Sequence, residues 1–370
     1  MPGEAIDLCG MQYYKGRSFL ISLFRGVTKM VSFTETGHID ISTKDFPMPA
    51  SIWEDYYANL GTADSVQYRI VRADTSAVIY SGKAFRKPGE TSILARINDV
   101  CAEAFIHDLP TISHAAFTTD PQPITFRVQT LSGSTWTTKA TVEFIPDWSY
   151  DPDWDIATGL SDTINNRIDS RMPIFFSVYN ATSISAVGVR KDGTSSTSTI
   201  TQSARTGTAV FLASKWQNLD RIVLTSGTIT KTYQVVTSCA EYALFYVNAY
   251  GGWDQLLIEG NTLETDTLKR YTREVVFNNA DGEEAGVENY VNEITHGYTL
   301  HTGWLLAEAG KKMHHLINSP CVYLYEIAAN IQYPVTVTLG NCEYRTFRNN
   351  GNRLVNYALQ VDLARPRIRR

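Results

Sequence analysis

Residues Cys239–Gly260 read CAEYALFYVNAYGGWDQLLIEG, and their pattern decides the fold class. Two apolar runs, Tyr242–Asn248 and Gln255–Glu259, flank an aromatic turn at Tyr250-Gly251-Gly252-Trp253. In an extended chain Ala243, Phe245 and Val247 point to one side, and Tyr242, Leu244 and Tyr246 to the other. A strand apolar on both sides belongs to a sheet interior covered above and below, not to an edge. The adjacent glycines supply the positive φ that a tight reversal needs, and Trp253 is expected to fold back over the pair. The stretch contains no catalytic pattern.

On the C-terminal side, GWLLAEAGKKMHHLIN (Gly303–Asn318) predicts one amphipathic helix. Leu305, Ala309, Met313, Leu316 and Ile317 form its apolar stripe, with Glu308, Lys311, Lys312 and His315 opposite. Thr302 is the expected cap and Pro320 the stop. Beyond the helix Val322–Ile327, Val335–Leu339, Tyr344–Phe347 and Leu354–Leu363 read as strands, and Leu354–Leu363 alternates strictly, as a half-buried strand does. On the N-terminal side, 173–237 holds short strands, with Ser226-Gly227 marking a hairpin, and reads as a small Ig-like β-sandwich. An aromatic and acidic linker is expected at 147–172. Before it, 25–146 is a β-rich domain interrupted by one helix, Asp99–His107, with Asn98 as its cap and Cys101, Ala104, Phe105 and Leu109 inward. Residues 1–24 form an apolar arm that either joins its own sheet or reaches a neighbouring subunit. The expected fold is mainly β: serial β-sandwich-like domains with two short helices, the C-terminal domain (238–370) being α+β.

A chain of 370 residues with 43% hydrophobic content exceeds one ordinary domain and has ample core. A net charge of −5 argues against general nucleic-acid binding, which needs an excess of cations. The chain nevertheless ends Arg365-Pro366-Arg367-Ile368-Arg369-Arg370. This basic tail is either a solvated terminus or a contact for an acidic neighbour. Five cysteines (Cys9, Cys101, Cys239, Cys321, Cys342) without a CxxC pair suit reduced, mostly buried thiols. Glu4 and Asp7 sit where a signal peptide needs positive charge, and no run reaches membrane-span length; a soluble product is expected.

Each pattern suggestive of chemistry has a simpler reading. Asp151, Asp153 and Asp155 alternate like a calcium loop, with Asp162 placed for the last ligand. Ile156 stands where that loop needs glycine, and Pro152 splits the first two ligands. The aromatics Trp148, Tyr150, Trp154 and Trp253, with Trp53, Trp136 and Trp216, are able to stack sugars, but their dispersal favours cores and interfaces. His314 and His315 are adjacent on a helix and point about 100° apart, so they cannot share a metal as an i, i+4 pair does. No GxSxG is present. Lys83 in Tyr80-Ser81-Gly82-Lys83-Ala84 lacks a phosphate loop's glycines and reads as a strand-edge charge. Glu283-Glu284 lies in a loop by composition, whereas an active-site pair sits on rigid elements. No catalytic residue, metal or cofactor is expected.

Three segments carry a family resemblance: YVNAYGGWDQLLIEG (Tyr246–Gly260), WLLAEAGKKMHHLINSPCVYLY (Trp304–Tyr325) and PVTVTLGNCEYRT (Pro334–Thr346). Together they resemble structural tail proteins of tailed bacteriophages and prophages of gut Bacteroidetes. A fainter likeness lies in Ser81–Ala104. The resemblance implies a non-enzymatic virion protein made in a bacterial cytoplasm. It would be a ring or adaptor subunit whose partners are copies of itself, other tail proteins and fibres. Twenty tyrosines, which give contact area with a polar tip, suit such a role. The candidate interface residues are Tyr13, Tyr14, Trp148, Tyr150, Trp154, Arg367, Arg369 and Arg370. The alternative is a carbohydrate-binding adhesin with Trp148, Tyr150, Trp154 and Trp253 as its platform.

Overall fold

The computed structural model describes residues 39–40, 48–49, 56–120, 122–146, 160–161, 164–274, 287–349, 352–364 and 367–369. The expected arm at 1–24, the linker residues Trp148, Tyr150, Trp154, Asp151, Asp153 and Asp155, and Arg370 lie outside them. The described chain is mainly β, as its punctuated apolar alternation predicts. It divides into two compact units, the second including His107–Gln122 as well as everything described from Leu160 onward.

The first unit contains β1 (Ile39–Asp40), β2 (Met48–Pro49), β3 (Tyr56–Gly61), β4 (Ser65–Arg72), β5 (Val78–Phe85), β6 (Ile93–Arg96) and the helix α1 (Asn98–Ala102). After β7 (Ala116–Thr118), which belongs to the second unit, β8 (Ile124–Ser132) and β9 (Thr135–Ile145) complete it. A five-stranded sheet runs β2-β9-β8-β4-β5 and a three-stranded one β1-β3-β6. In β8, Ile124, Phe126 and Val128 are buried while Arg127 is exposed, the period of two expected of a sheet covered on one face. Ile70, Phe126, Val128 and Phe144 pack with Ile93, Ile97 and Cys101. The helix is shorter than the expected Asp99–His107. Asn98 lies inside its first turn instead of capping it, and the Asp99 carboxylate accepts from Arg96 Nη2 at 2.9 Å. Cys101 and Phe105 face this core, but Leu109 packs in the second unit.

In the second unit β10 (Arg167–Asp169), β11 (Pro173–Arg190), β12 (Ser195–Leu212), β13 (Leu219–Ser226) and β14 (Ile229–Val236) form, with β7, a six-stranded sheet ordered β10-β14-β13-β11-β12-β7. The Ser226-Gly227 reversal joins β13 to β14 as expected, with Gly227 at φ 57°. Then follow β15 (Tyr242–Val247), β16 (Trp253–Leu257), β17 (Thr262–Glu274), β18 (Val287–His301), β19 (Leu305–Leu306), α2 (Ala307–Lys311), α3 (Met313–Ile317), β20 (Val322–Glu326), β21 (Ile331–Asn349), β22 (Asn352–Leu363) and β23 (Arg367–Arg369). The sheet they build is ordered β16-β15-β20-β21-β22-β18-β17, with β19 on β22 and β23 on β18.

Every residue of β15 and β16 is buried, as the two-sided apolar pattern requires. Ala243, Phe245 and Val247 face a core shared with the six-stranded sheet. The Phe245 ring lies 4.8 Å from Phe175, edge-on, and 4.8 Å from Tyr325, stacked. Tyr242, Leu244 and Tyr246 face a second core with Met313, Leu316, Leu359 and Val361. Strands 173–237 therefore do not close a sandwich among themselves. They supply one sheet, and β15, β16 and β20 cover it.

The expected helix over Gly303–Asn318 is divided. Leu305–Leu306 pairs with Leu354–Val355 as β19, and the helix breaks at Lys312 into α2 and α3. Tyr357 Oη donates to the Gly310 carbonyl at 3.0 Å, and a Cβ on Gly310 would stand 2.5 Å from Val355 Cγ2. Packing this close to β22 brings in i→i−3 turns, as where Lys312 N bonds Ala309 O. Thr302 does not cap; its hydroxyl donates to Gly303 O and accepts from Tyr357 N. His315, expected in solvent, is buried edge-on against Tyr250 at 5.6 Å.

The turn between β15 and β16 is held by Asn248, whose Oδ1 accepts from Tyr250 N (2.9 Å) and Gly252 N (3.1 Å). Its Nδ2 donates to Leu160 O and to the buried Asp254 carboxylate. Gly251 supplies positive φ (81°), whereas Gly252 is required for space, because a Cβ there would lie 2.1 Å from Leu160 O. Gly252→Ala is accordingly expected to cost about 3 kcal/mol in urea unfolding, while Gly227→Asn in an open left-handed turn stays within about 0.5 kcal/mol. Equal stabilities for the two variants would refute this account of the turn.

Candidate interaction surface

In the second unit β17 and β18 form a ribbon with a long run of exposed residues on β17. They pair antiparallel from Thr262↔Leu300 to Glu274↔Val287, with a bulge after Tyr271. On its other side, among the described residues, β18 is paired at Gly297–His301 by β22 and at Asn292–Ile294 by β23. The ribbon forms because β-branched threonines at 262, 265, 267 and 272 favour extended backbone and because cross-strand pairs match. Lys269 opposes Glu293, the Asp266 carboxylate meets the His296 ring, and Tyr271 Oη donates to Glu293 Oε2 at 3.1 Å. Residues 263–272 are exposed without interruption. They include Leu263 (60%), Leu268 (45%) and Tyr271 (44%), and Tyr290 on β18 is 50% exposed. Apolar side chains thus stand in solvent on both faces of one ribbon.

At the ribbon's base the nine-stranded sheet curls, so that Tyr242 of β15 and Tyr298 of β18 touch at 5.5 Å although three strands separate them. Tyr242 Oη donates to Glu264 Oε1 at 3.2 Å, and Tyr333 Oη to Glu326 Oε2 at 3.5 Å. Burial raises the Tyr298 phenol above its usual range, and the carboxylates of Glu264, Glu326 and Asp266 add to the rise. The rim is therefore a region of negative potential.

In the first unit the outer strand β5 exposes Val78, Tyr80 and Phe85, with Lys83 Nζ 5.1 Å from the Phe85 ring centroid. Lys83 thus has the strand-edge place expected from sequence, where a cation discourages edge-to-edge pairing.

A titratable cluster also pins segment 107–120 to the second unit. Trp253 Nε1 donates to Asp120 Oδ2 (3.1 Å), Thr208 Oγ1 donates to Asp120 O (2.8 Å), and β7 pairs with β12. His107 Nδ1 lies 3.9 Å from Asp120 Oδ2. The Cys321 thiol faces the His107 carbonyl at 3.7 Å instead of the imidazole, and burial pushes its pKa up to about 11. A thiol so protonated is no nucleophile at neutral pH. Among the described residues no three of His, Cys, Asp and Glu converge as a metal site requires. No helix among them is long and apolar enough to cross a membrane.

Of the interface residues read from sequence, Tyr13, Tyr14, Trp148, Tyr150, Trp154 and Arg370 lie outside the described residues. Arg367 and Arg369 are in β23, paired with Ile294 and Asn292, so that part of the basic tail is a strand of the ribbon. Trp253 is wholly buried and cannot form a sugar platform; its indole closes the core beside Phe175 and Tyr323. Trp136 lies under Arg69 at 4.4 Å. The ribbon residues lie outside the strand runs that the sequence predicts. The signal they carry is the alternation of Thr with charge in TLETDTLKRYTRE, facing VENYVNEITHGYTLH. Compared with known proteins, the chain matches no family model and no curated protein.

The pinning cluster has a defined pH behaviour. Burial lowers the His107 pKa to about 4, so unfolding takes up a proton there below pH 6.5 and stability falls with acidification. Burial raises the Asp120 pKa to about 6, so the folded carboxyl holds a proton that the unfolded one releases, and stability rises as pH falls from 6 towards 4. The two opposed contributions offset each other. In Asp120→Asn only the histidine's remains, so the variant should lose about 2 kcal/mol relative to the parent between pH 6.5 and 4 in denaturant titrations. Parallel pH profiles for the two proteins would refute the assignment.

Proposed function

We propose that this chain is a non-enzymatic structural subunit of an oligomeric assembly, a ring or adaptor component of a bacteriophage tail that joins tail elements or fibres. The observation that carries this reading is the ribbon, which extends from a packed sheet and exposes leucine and tyrosine on both faces. A two-stranded ribbon on its own is marginal in water, and exposed apolar surface of this kind marks a contact with another chain. The resemblance of Tyr246–Gly260, Trp304–Tyr325 and Pro334–Thr346 to phage tail proteins supports reading that assembly as a tail. Three free thiols among the described residues, buried Cys101, half-buried Cys321 and exposed Cys239, accord with folding in a bacterial cytoplasm. In this reading the sheets present surfaces, and burial of those surfaces drives assembly.

Mass photometry and negative-stain microscopy of the full chain test this. Discrete particles of several subunits are expected at micromolar concentration; a protein that stays monomeric up to its solubility limit would sink the proposal.

A further inference from the structure

We propose that the β17–β18 ribbon is itself a self-complementary contact, in which two copies of this chain lay their ribbons antiparallel about a two-fold axis at Leu268. This rests on the assembly reading above and names the partner of one of its surfaces.

The argument starts from the strand period. Glu264, Asp266, Leu268 and Arg270 alternate onto one face of β17, and all four are exposed. Charge along that face is ordered: acidic at 264 and 266, apolar at 268, basic at 270. At the acidic end lie Tyr298 and, beyond it, the carboxylate of Glu326. At the basic end the backbone register brings in the C-terminal strand. Arg369 pairs with Asn292, which pairs with Arg270; Arg367 pairs with Ile294, which pairs with Leu268. The backbone of the C-terminal strand thus runs alongside this half of the ribbon.

Such a polarity is complementary to its own reversal. Turning a second ribbon end for end about Leu268 sets Asp266 of each copy against Arg270 of the other and Leu268 against Leu268. Asp266 and Arg270 lie about 14 Å apart along the strand, beyond useful attraction within one copy in salt solution. Neither neutralises the other: Asp266 meets His296 across the ribbon, yet its side chain stays 63% exposed and accepts a second cation from outside. The partner's surface has to be apolar at the centre and opposite in charge at each end, and the same face of a second copy meets that description. A polyanion such as nucleic acid meets only the basic half and is repelled by Glu264, Asp266 and Glu326. A two-fold contact of this kind is isologous, so it pairs subunits or stacks two rings back to back; it does not close a ring.

The experiment is a charge swap on the full-length protein, read by sedimentation velocity. Arg270→Asp and Asp266→Arg, each alone, should weaken the association step at least about tenfold, and the double variant should recover to within about threefold of the parent. Leu268→Ser should weaken it without altering the circular dichroism spectrum, and the parent's association should fall as salt rises from about 0.05 to 0.5 M. A parent that oligomerises while all four variants oligomerise equally well overturns the ribbon contact and leaves the assembly reading intact. A parent that is monomeric throughout overturns both. Both single variants weakened with no recovery in the double also overturns the contact, because the pairing of Asp266 with Arg270 is its content.

Discussion

Burial of β15 on both faces is the constraint from which the second unit follows. Phe245 and its neighbours fill one core and Leu244 and its neighbours another, so a layer has to exist on each side of the strand. Fully burying a large apolar side chain contributes roughly 2–3 kcal/mol. A strand of six buried residues is therefore a strong determinant of what surrounds it. The layer on one side is the six-stranded sheet; on the other the nine-stranded sheet curls round and α2 and α3 close the opening. The polar groups inside are there to complete the backbone. Gln255 Oε1 accepts from Phe175 N at 2.9 Å and Ser161 Oγ from Ser177 N at 2.8 Å. Both bonds satisfy the part of β11 that lies ahead of its pairing with β13, which begins only at Ser185.

The ribbon obeys the opposite condition. Beyond Tyr298 its strands have lost the core that holds the rest of the sheet, and local pairs hold them instead: Lys269 with Glu293, Asp266 with His296, Tyr271 with Glu293. These pairs are solvent-screened and weak, enough to set register and too little to offset exposed leucine and tyrosine. The same protein thus devotes one hairpin to being enclosed and another to being presented. Net charge gives no hint of this, because an overall −5 averages an acidic rim and a basic tail that lie on different parts of one sheet.

Much of the fold was legible in the chain: both faces of β15, the tight turn after Asn248, the Ser226-Gly227 hairpin, the alternation of β22, and the inward Cys101 and Phe105. Each of these signals is local, spanning a strand or a turn. Segment 261–301 was not, since the apolar alternation that marks a strand arises only when one face is dry, and much of this ribbon has none. The division of the 303–318 helix depends on Tyr357 and Val355, some 45 residues away. His315 is buried because Tyr250, from a different turn, lies over it.

What the sequence determined by itself was which faces are covered: period and composition report whether a residue meets water. What only the tertiary structure decided was what does the covering. Strands 173–237 have the same alternation whether they pack on one another or on β15 and β16, and a terminus of arginines reads the same whether it is solvated or paired with β18. Burial leaves a mark on the residues buried, but the partner's identity is fixed by contacts between segments far apart in the chain, and no local period records those.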